Sequence, residues 1–129
     1  MFIQLKPRLS GEIFFDDTAK DNAIKRIYAT DASEYQELPM AVALPKTTED
    51  IKILADYAVQ NETYLIPRAA GTSLAGQVVG NGIIVDISKH FTEVIELNQE
   101  ERWIRVQPGV IRDDLNVFLK PYELMYGPE

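Results

Sequence analysis

The residues best suited to chemistry lie between Pro67 and Gly76, in the run PRAAGTSLAG. Four of the seven glycines, Gly71, Gly76, Gly80 and Gly82, fall within twelve residues. Glycine allows positive φ and close approach of the backbone to a ligand. Consecutive backbone N–H groups in such a turn form a concave anion site. Ala69, Ala70, Thr72, Ser73 and Ala75 surround the glycines with small side chains, and Thr72 and Ser73 add hydroxyl donors. This combination suits a diphosphate, whose charge can be met by N–H dipoles without a full positive charge. Gly71 and Gly76 have the G-x-x-x-x-G spacing of a P-loop, but Gln77 and Val78 stand where Lys and Ser or Thr are required, which argues against an NTPase. The dinucleotide motif G-x-G-x-x-G is absent too, because Gly80-Asn81-Gly82 runs into Ile83, Ile84 and Val85. From spacing alone, a β-turn cluster that binds nothing is an equal alternative.

Other candidates are few. The chain has no cysteine, which excludes disulfides, thiolate metal sites, iron–sulfur ligands and a Cys nucleophile within its 129 residues. His90 is the single histidine, and no HExxH, His pair or EF-hand loop is present, so no metal site is expected. His90 follows Ser88-Lys89 in a loop and reads as a surface residue. Arg68, beside the turn, either supports an anion electrostatically or makes a surface ion pair. Asp86, at a strand end, either binds a ribose or orients a loop, and local backbone hydrogen bonding favours the second role. Trp103 reads as core or half-buried sheet. Asp113-Asp114 open a helix and suit its dipole. No catalytic residue is assigned in this chain.

The formal net charge is −7, with 13 basic residues scattered among 20 acidic ones and no basic run longer than two. Nucleic-acid binding needs clustered Lys and Arg, so neither DNA nor RNA is an expected partner. No apolar run reaches signal-peptide or membrane-spanning length. A cytoplasmic location is the expectation. The balance of 46% hydrophobic and 26% charged residues fits one modest core.

The elements that must position the turn can be read from periodicity. A helix is expected within Asp16–Tyr28, capped by Asp16 or Asp17, with Ala23, Ile24 and Ile27 on one face. Thr30–Pro39 is rich in turn formers. Met40–Leu44, closed by Pro45, reads as a strand. The helix Glu49–Gln60 is capped by Thr47 or Thr48, and Ile51, Leu54, Ala55, Ala58 and Val59 form its buried face. Tyr64–Ile66 is the next strand, ended by Pro67. Strand, helix and strand predict a right-handed parallel crossover. The turn then leaves the C-terminal end of a strand, where open parallel sheets bind ligands. Ile83–Ile87 is a further strand. Glu93–Leu97 and Arg102–Val106 predict an antiparallel pair about Asn98–Glu101. Val110–Lys120 predicts a helix with Ile111, Leu115, Phe118 and Leu119 inward, ended by Pro121.

Taken in order, these motifs resemble the FAD-binding domain of the FAD-linked oxidase superfamily, the PCMH or vanillyl-alcohol oxidase type. That family has an apolar strand ending in Pro, a helix, and a strand ending in an R-G-G-G-T-S-x-x-G-like turn. The matching segments are Ala41–Pro45, Glu49–Gln60 and Leu65–Gly76. IVDIS (Ile84–Ser88), VQPG (Val106–Gly109) and YGPE (Tyr126–Glu129) continue the pattern. YATDAS (Tyr28–Ser33), SKHF (Ser88–Phe91) and EERWIRVQPGV (Glu100–Val110) are similar to the large bacterial FAD and iron–sulfur D-2-hydroxyacid dehydrogenases, of D-lactate, D-2-hydroxyglutarate or glycolate oxidase type. Aldonolactone oxidases and UDP-N-acetylmuramate reductases are relatives with other chemistry, and the YATDAS and EERWIRV segments argue against them.

The resemblance implies an α+β fold: a small parallel βαβ subdomain, then the start of a second, mixed or antiparallel subdomain. Residues 1–39 form a helical and irregular lead-in, and 40–129 the N-terminal part of the FAD-binding domain. It implies FAD, held by Ala69, Ala70, Gly71, Thr72 and Ser73 at the diphosphate, by Gly76 and Gln77 on its far side, and by Pro108 and Gly109 toward the adenine. Thr72 occupies the position at which some members link flavin through His, so the FAD is expected to be non-covalent. Ala69 and Ala70 replace two family glycines, so Gly71 must carry the most strained backbone. Family members continue into a segment that completes the flavin site, a substrate domain and a cysteine-rich iron–sulfur region. The 129 residues are therefore expected to be inactive alone and prone to self-association. The full enzyme would take a small 2-hydroxy acid and an electron acceptor, and would be cytoplasmic or peripheral at the inner face of the membrane. The alternative is a folded module with no flavin.

Overall fold

A computed structural model of the chain describes residues 2–127. Its elements, in order, are β1 (Glu12–Phe14), α1 (Ala19–Ile27), β2 (Ala41–Leu44), α2 (Thr48–Gln60), β3 (Leu65–Arg68), β4 (Ile83–Asp86), β5 (Val94–Asn98), β6 (Trp103–Val106) and α3 (Arg112–Leu119). A 3-10 turn at Phe2–Gln4 precedes them, and another follows at Lys120–Tyr122.

Four strands form one sheet in the order β1-β2-β4-β3. β2 and β3 each pair with β4 in parallel, and β1 is antiparallel to β2. The β2–α2–β3 crossover is therefore present, but β4 lies between its two strands. Every residue of β2 and β4 is buried. Such runs are what a sheet covered on both faces requires. On one face Ala41, Ala43, Ile83 and Val85 pack with Leu54 and Tyr57 of α2 and with Phe2 and Leu5. On the other, Val42, Leu44, Ile66 and Ile84 pack with Ile24 and Tyr28 from the α1 side and with Val78. β5 and β6 form a separate antiparallel pair, with a register shift between Val94 and Glu96. The fold is thus α+β, a mostly parallel unit followed by an antiparallel pair and a helix.

Several local expectations are revised. The lead-in is not only helical and irregular, since Glu12–Phe14 pairs with Val42–Leu44 at the sheet edge. Helix α1 is capped by Thr18, whose hydroxyl accepts the Asp21 N–H at 3.1 Å. Asp21 turns back to accept the N–H groups of Phe15 and Asp16, both at 3.0 Å. Ile27 and Val59, assigned to buried faces, are 64% and 80% exposed. Tyr57 takes the buried position on α2 instead. α3 begins at Arg112, which leaves Ile111 as an exposed cap. β3 does not stop before Pro67 but runs through it to Arg68. Because β3 is an edge strand, the missing N–H of Pro67 can be tolerated there.

The α2 N-terminus holds the sheet and the lead-in together. Thr47 and Asp50 form a capping box. The buried Asp50 carboxylate accepts backbone N–H groups from Ser10, Gly11, Lys46 and Thr47 at 2.8, 3.0, 2.8 and 3.3 Å. Burial pushes this carboxyl up, but the four N–H donors outweigh it and hold it below its ordinary range.

Candidate functional site

The turn leaves the C-terminal end of β3 immediately after Arg68. Its two positive-φ residues are Gly71 at +69° and Gly76 at +70°; Ala69 and Ala70 keep φ in the ordinary range. The strained positions are thus glycine, and the two alanines sit where a methyl group is tolerated. A Cβ on Gly71 would fall 2.4 Å from Arg68 Nη2.

Among the described residues, no hydrogen bond uses the backbone N–H of Ala70, Gly71, Thr72 or Ser73. The Ser73 hydroxyl closes the loop itself: it accepts from the N–H groups of Ala75 and Gln77 at 3.3 Å and donates to Gln77 Oε1 at 3.0 Å. Thr72 is exposed. The turn therefore presents a run of free N–H groups and one free hydroxyl, a donor set suited to an anion.

Five of the nine predicted residues line two separate hollows, whereas Gly71, Thr72, Ser73 and Gln77 line neither. Ala69 and Ala70 line a cleft of about 440 Å³ together with Pro108, Gly109 and the start of α3. Two motifs about forty residues apart in sequence thus face one space. Gly109 is pinned there by its N–H to the Phe91 carbonyl at 2.7 Å. Gly76 lies in a smaller hollow of about 220 Å³ with Tyr35, Gln36 and Glu37. Gln77 is exposed and bound to Ser73. Gly76 and Gln77 do not meet Pro108 and Gly109 in either hollow. Another hollow, of about 320 Å³ around Trp103, Leu119 and Met125, includes no residue of the turn.

Other candidates acquire definite surroundings. Arg68 makes no ion pair among the described residues; it donates to the Thr30 carbonyl at 2.7 Å and stacks over the Tyr28 ring, 5.2 Å from its centre. Asp86 is buried and accepts the Ser88 N–H at 2.7 Å and the Ser88 hydroxyl at 2.6 Å, with the Tyr28 hydroxyl as a third donor. Burial first, then the Asp86 carboxylate, push the Tyr28 phenol well above its ordinary value. His90 is not a simple surface residue: its side chain is 21% exposed, and its Nε2 sits 3.8 Å from Glu12 Oε1. Among the described residues no group of three or more His, Cys, Asp or Glu could hold a metal ion. No described helix is long and apolar enough to cross a membrane.

Periodicity does not find Tyr28 and Tyr35 as neighbours of the turn. Tyr28 is signalled only by the YATDAS segment, which carries no spacing rule of its own, and Tyr35 lies two residues beyond it. Ser88 and Arg112 also line the cleft, and neither carries a sequence signal for that position.

The turn fits FAD on its donor set and shape. The glycine cradle, the free N–H run and the adjoining cleft are features that a diphosphate-bearing dinucleotide requires. The arrangement of the sheet, turn and antiparallel pair is that of PCMH-type FAD-binding proteins. Alkyldihydroxyacetonephosphate synthase superposes with a TM-score of 0.74 at 17% identity, over 92% of this chain and 26% of that one. 6-Hydroxy-D-nicotine oxidase from Arthrobacter nicotinovorans superposes with a TM-score of 0.70 at 22% identity, over 88% and 24%. The FAD binding domain family matches residues 39–129, and the chain belongs to it. D-2-hydroxyglutarate dehydrogenase of Haemophilus influenzae is 47% identical over 94% of this chain and 12% of its own length. Glycolate oxidase subunit GlcD of Bacillus subtilis is 32% identical over 95% and 26%. The chain therefore spans about an eighth to a quarter of these relatives.

Proposed function

We propose that this chain is the N-terminal part of the FAD-binding domain of a dehydrogenase that oxidises a D-2-hydroxy acid to the 2-oxo acid. Residues 40–129 belong to that part and residues 1–39 to its lead-in, of which Phe2, Leu5 and Ile13 pack into the core of the sheet. The observation that carries the reading is the meeting of Ala69 and Ala70 with Pro108 and Gly109 in one cleft, beside four free backbone N–H groups. Ala69 to Ser73 bind the diphosphate, Gly76 and Gln77 border its far side, and Pro108 and Gly109 lie toward the adenine. FAD, when bound, supplies the acceptor for the hydride leaving the substrate α-carbon. The chain's own residues bind and orient it. Thr72 cannot form the histidyl link, so the binding is non-covalent. The base that takes the hydroxyl proton, the carboxylate-binding residues and any iron–sulfur centre belong outside these cysteine-free 129 residues.

The substrate class rests on the relatives named D-2-hydroxyglutarate dehydrogenase and glycolate oxidase subunit GlcD. A cytoplasmic location is part of the same proposal, as is self-association of the isolated chain. Val117, Met125 and Tyr126, exposed at 73%, 77% and 48%, support the latter. The test is titration with FAD. The reading expects flavin fluorescence to change on binding, the melting temperature to rise with FAD concentration, and all flavin to return to solution on acid precipitation. A chain that shows no binding at millimolar FAD refutes the reading, and flavin retained in the precipitate refutes the non-covalent assignment.

A further inference from the structure

Both positive-φ glycines of the turn stand on a side chain. Gly71 lies over the Arg68 guanidinium, and a Cβ on Gly76 would fall 2.7 Å from Tyr35 Cδ2. The segment Tyr28–Tyr35 passes beneath both points. At the first foot of the turn, Arg68 Nη1 donates to the Thr30 carbonyl at 2.7 Å and reaches those of Tyr28 and Val78 at 3.4 Å. Tyr28 stacks on the same guanidinium and donates its hydroxyl to Asp86, the cross-strand partner of Arg68. The segment is itself bent and closed. Asp31 accepts the Ser33 N–H at 2.8 Å and the Ser33 hydroxyl at 2.5 Å, and the Glu37 N–H donates to the Ala29 carbonyl at 3.0 Å.

The turn above has little to hold it by itself. Its internal hydrogen bonds centre on Ser73, and Ala70 to Ser73 contribute none through their N–H groups. A run of donors left free for a ligand cannot also fix its own shape, so the shape has to come from below. Arg suits this role because one nitrogen, Nη1, reaches the carbonyls while the planar, delocalised cation lies over an aromatic ring, a combination that a compact, strongly hydrated ammonium matches poorly.

We infer that Arg68, Tyr28 and Tyr35 are positioning residues of the turn: they hold Ala69–Gln77 in the shape that leaves its N–H groups free, without touching the ligand. The inference rests on the reading of that turn as the FAD diphosphate site. A turn ordered in advance loses less freedom on binding and so binds more tightly.

The experiment is ¹⁵N relaxation on the labelled 129-residue chain and on two variants, Arg68→Lys and Tyr35→Ala, each also titrated with FAD. Tyr35 is 57% exposed, so its removal spares the core, while Arg68→Lys keeps the charge and loses the fork. The expected result is a local one. Order parameters of residues 70–77 fall below about 0.6 in both variants, while those of β2 and β4 stay near about 0.85. The Kd for FAD rises roughly tenfold as preorganisation is lost. Unchanged order in the turn overturns the inference. So does an equal loss of order in the sheet, because the residues would then be general stabilisers. Loosened turns with unchanged FAD affinity overturn the link to binding. If the parent chain takes up no FAD, the functional reading of the turn fails, while the order parameters still decide whether these residues position it.

Discussion

Tyr28, at the end of α1, donates its hydroxyl to the buried carboxylate of Asp86 at the end of β4, 58 residues away. The bond closes the gap between the lead-in and the sheet, directly beneath the candidate site. Tyr28→Phe leaves one acceptor of a buried carboxylate without its donor, which should cost about 1–3 kcal/mol of stability. Denaturant titration measures it. The phenol is raised by burial and by Asp86, so the sign of its pH dependence is fixed. Its contribution is fully present below about pH 10, the ordinary tyrosine value, and is lost as pH rises toward the folded-state value. Ultraviolet titration should therefore find Tyr28 and the buried Tyr57 ionising later than an ordinary phenol.

Gly71→Ala places a methyl group at φ +69° and against the Arg68 fork. The left-handed backbone alone costs about 1–2 kcal/mol for a residue with a Cβ. The expected melting-temperature loss is modest, because the turn carries little of the core. FAD affinity should fall by more than stability does, since the same change tilts the N–H groups on either side. Paired melting curves and fluorescence titrations check both, and equal losses would show that the turn acts only through folding.

Asp50 answers four backbone N–H groups from two separate segments. Asp50→Ala leaves those part-buried donors without their acceptor, and also removes half of the capping box. A loss of about 3 kcal/mol or more follows from the cost of unsatisfied groups. The carboxyl is held below its ordinary range, so its contribution is present above the unfolded value near about pH 4 and is lost as pH falls through the lowered folded value. Stability of the parent should therefore drop on acidification in that window, and Asp50→Asn should flatten the drop. A parent and variant with the same slope in chemical denaturation below about pH 4 would dismiss this account.

The turn is legible because glycine, small residues and strand order are local signals, and the P-loop and Rossmann alternatives can be rejected on single residues such as Gln77. The lateral arrangement of the strands is not. Nothing in Ile83–Asp86 says that it inserts between β2 and β3; only its burial on both faces reports a central position. Ile27 and Val59 obey helical spacing yet face solvent, because spacing defines a stripe and neighbouring elements decide how much of it is covered. Pro67 reads as a strand end, whereas an edge strand can accommodate it. The contacts of Arg68 with Thr30 and Tyr28 join residues about forty apart, which no periodicity reaches. The meeting of Ala70 with Pro108 and Gly109 becomes visible only through the fold, although each motif stands out separately.

That meeting supplies the sharpest separation of binding from folding. Ala70 is exposed and lines the cleft opposite Pro108 and Gly109. A larger side chain there extends into open space, so Ala70→Leu should change stability by no more than about 0.5 kcal/mol, as for an ordinary surface substitution. It should nonetheless occupy the volume that the cofactor needs. FAD affinity is expected to fall about tenfold, near 1.4 kcal/mol on the usual conversion. Gly109→Ala provides the contrasting control. Its Cβ would meet the Ile87 and Phe91 carbonyl oxygens at 2.5 and 2.6 Å, so it should destabilise the fold by about 1–3 kcal/mol as an overpacked site. An Ala70→Leu chain that melts like the parent and binds FAD equally well would place the cofactor somewhere other than this cleft.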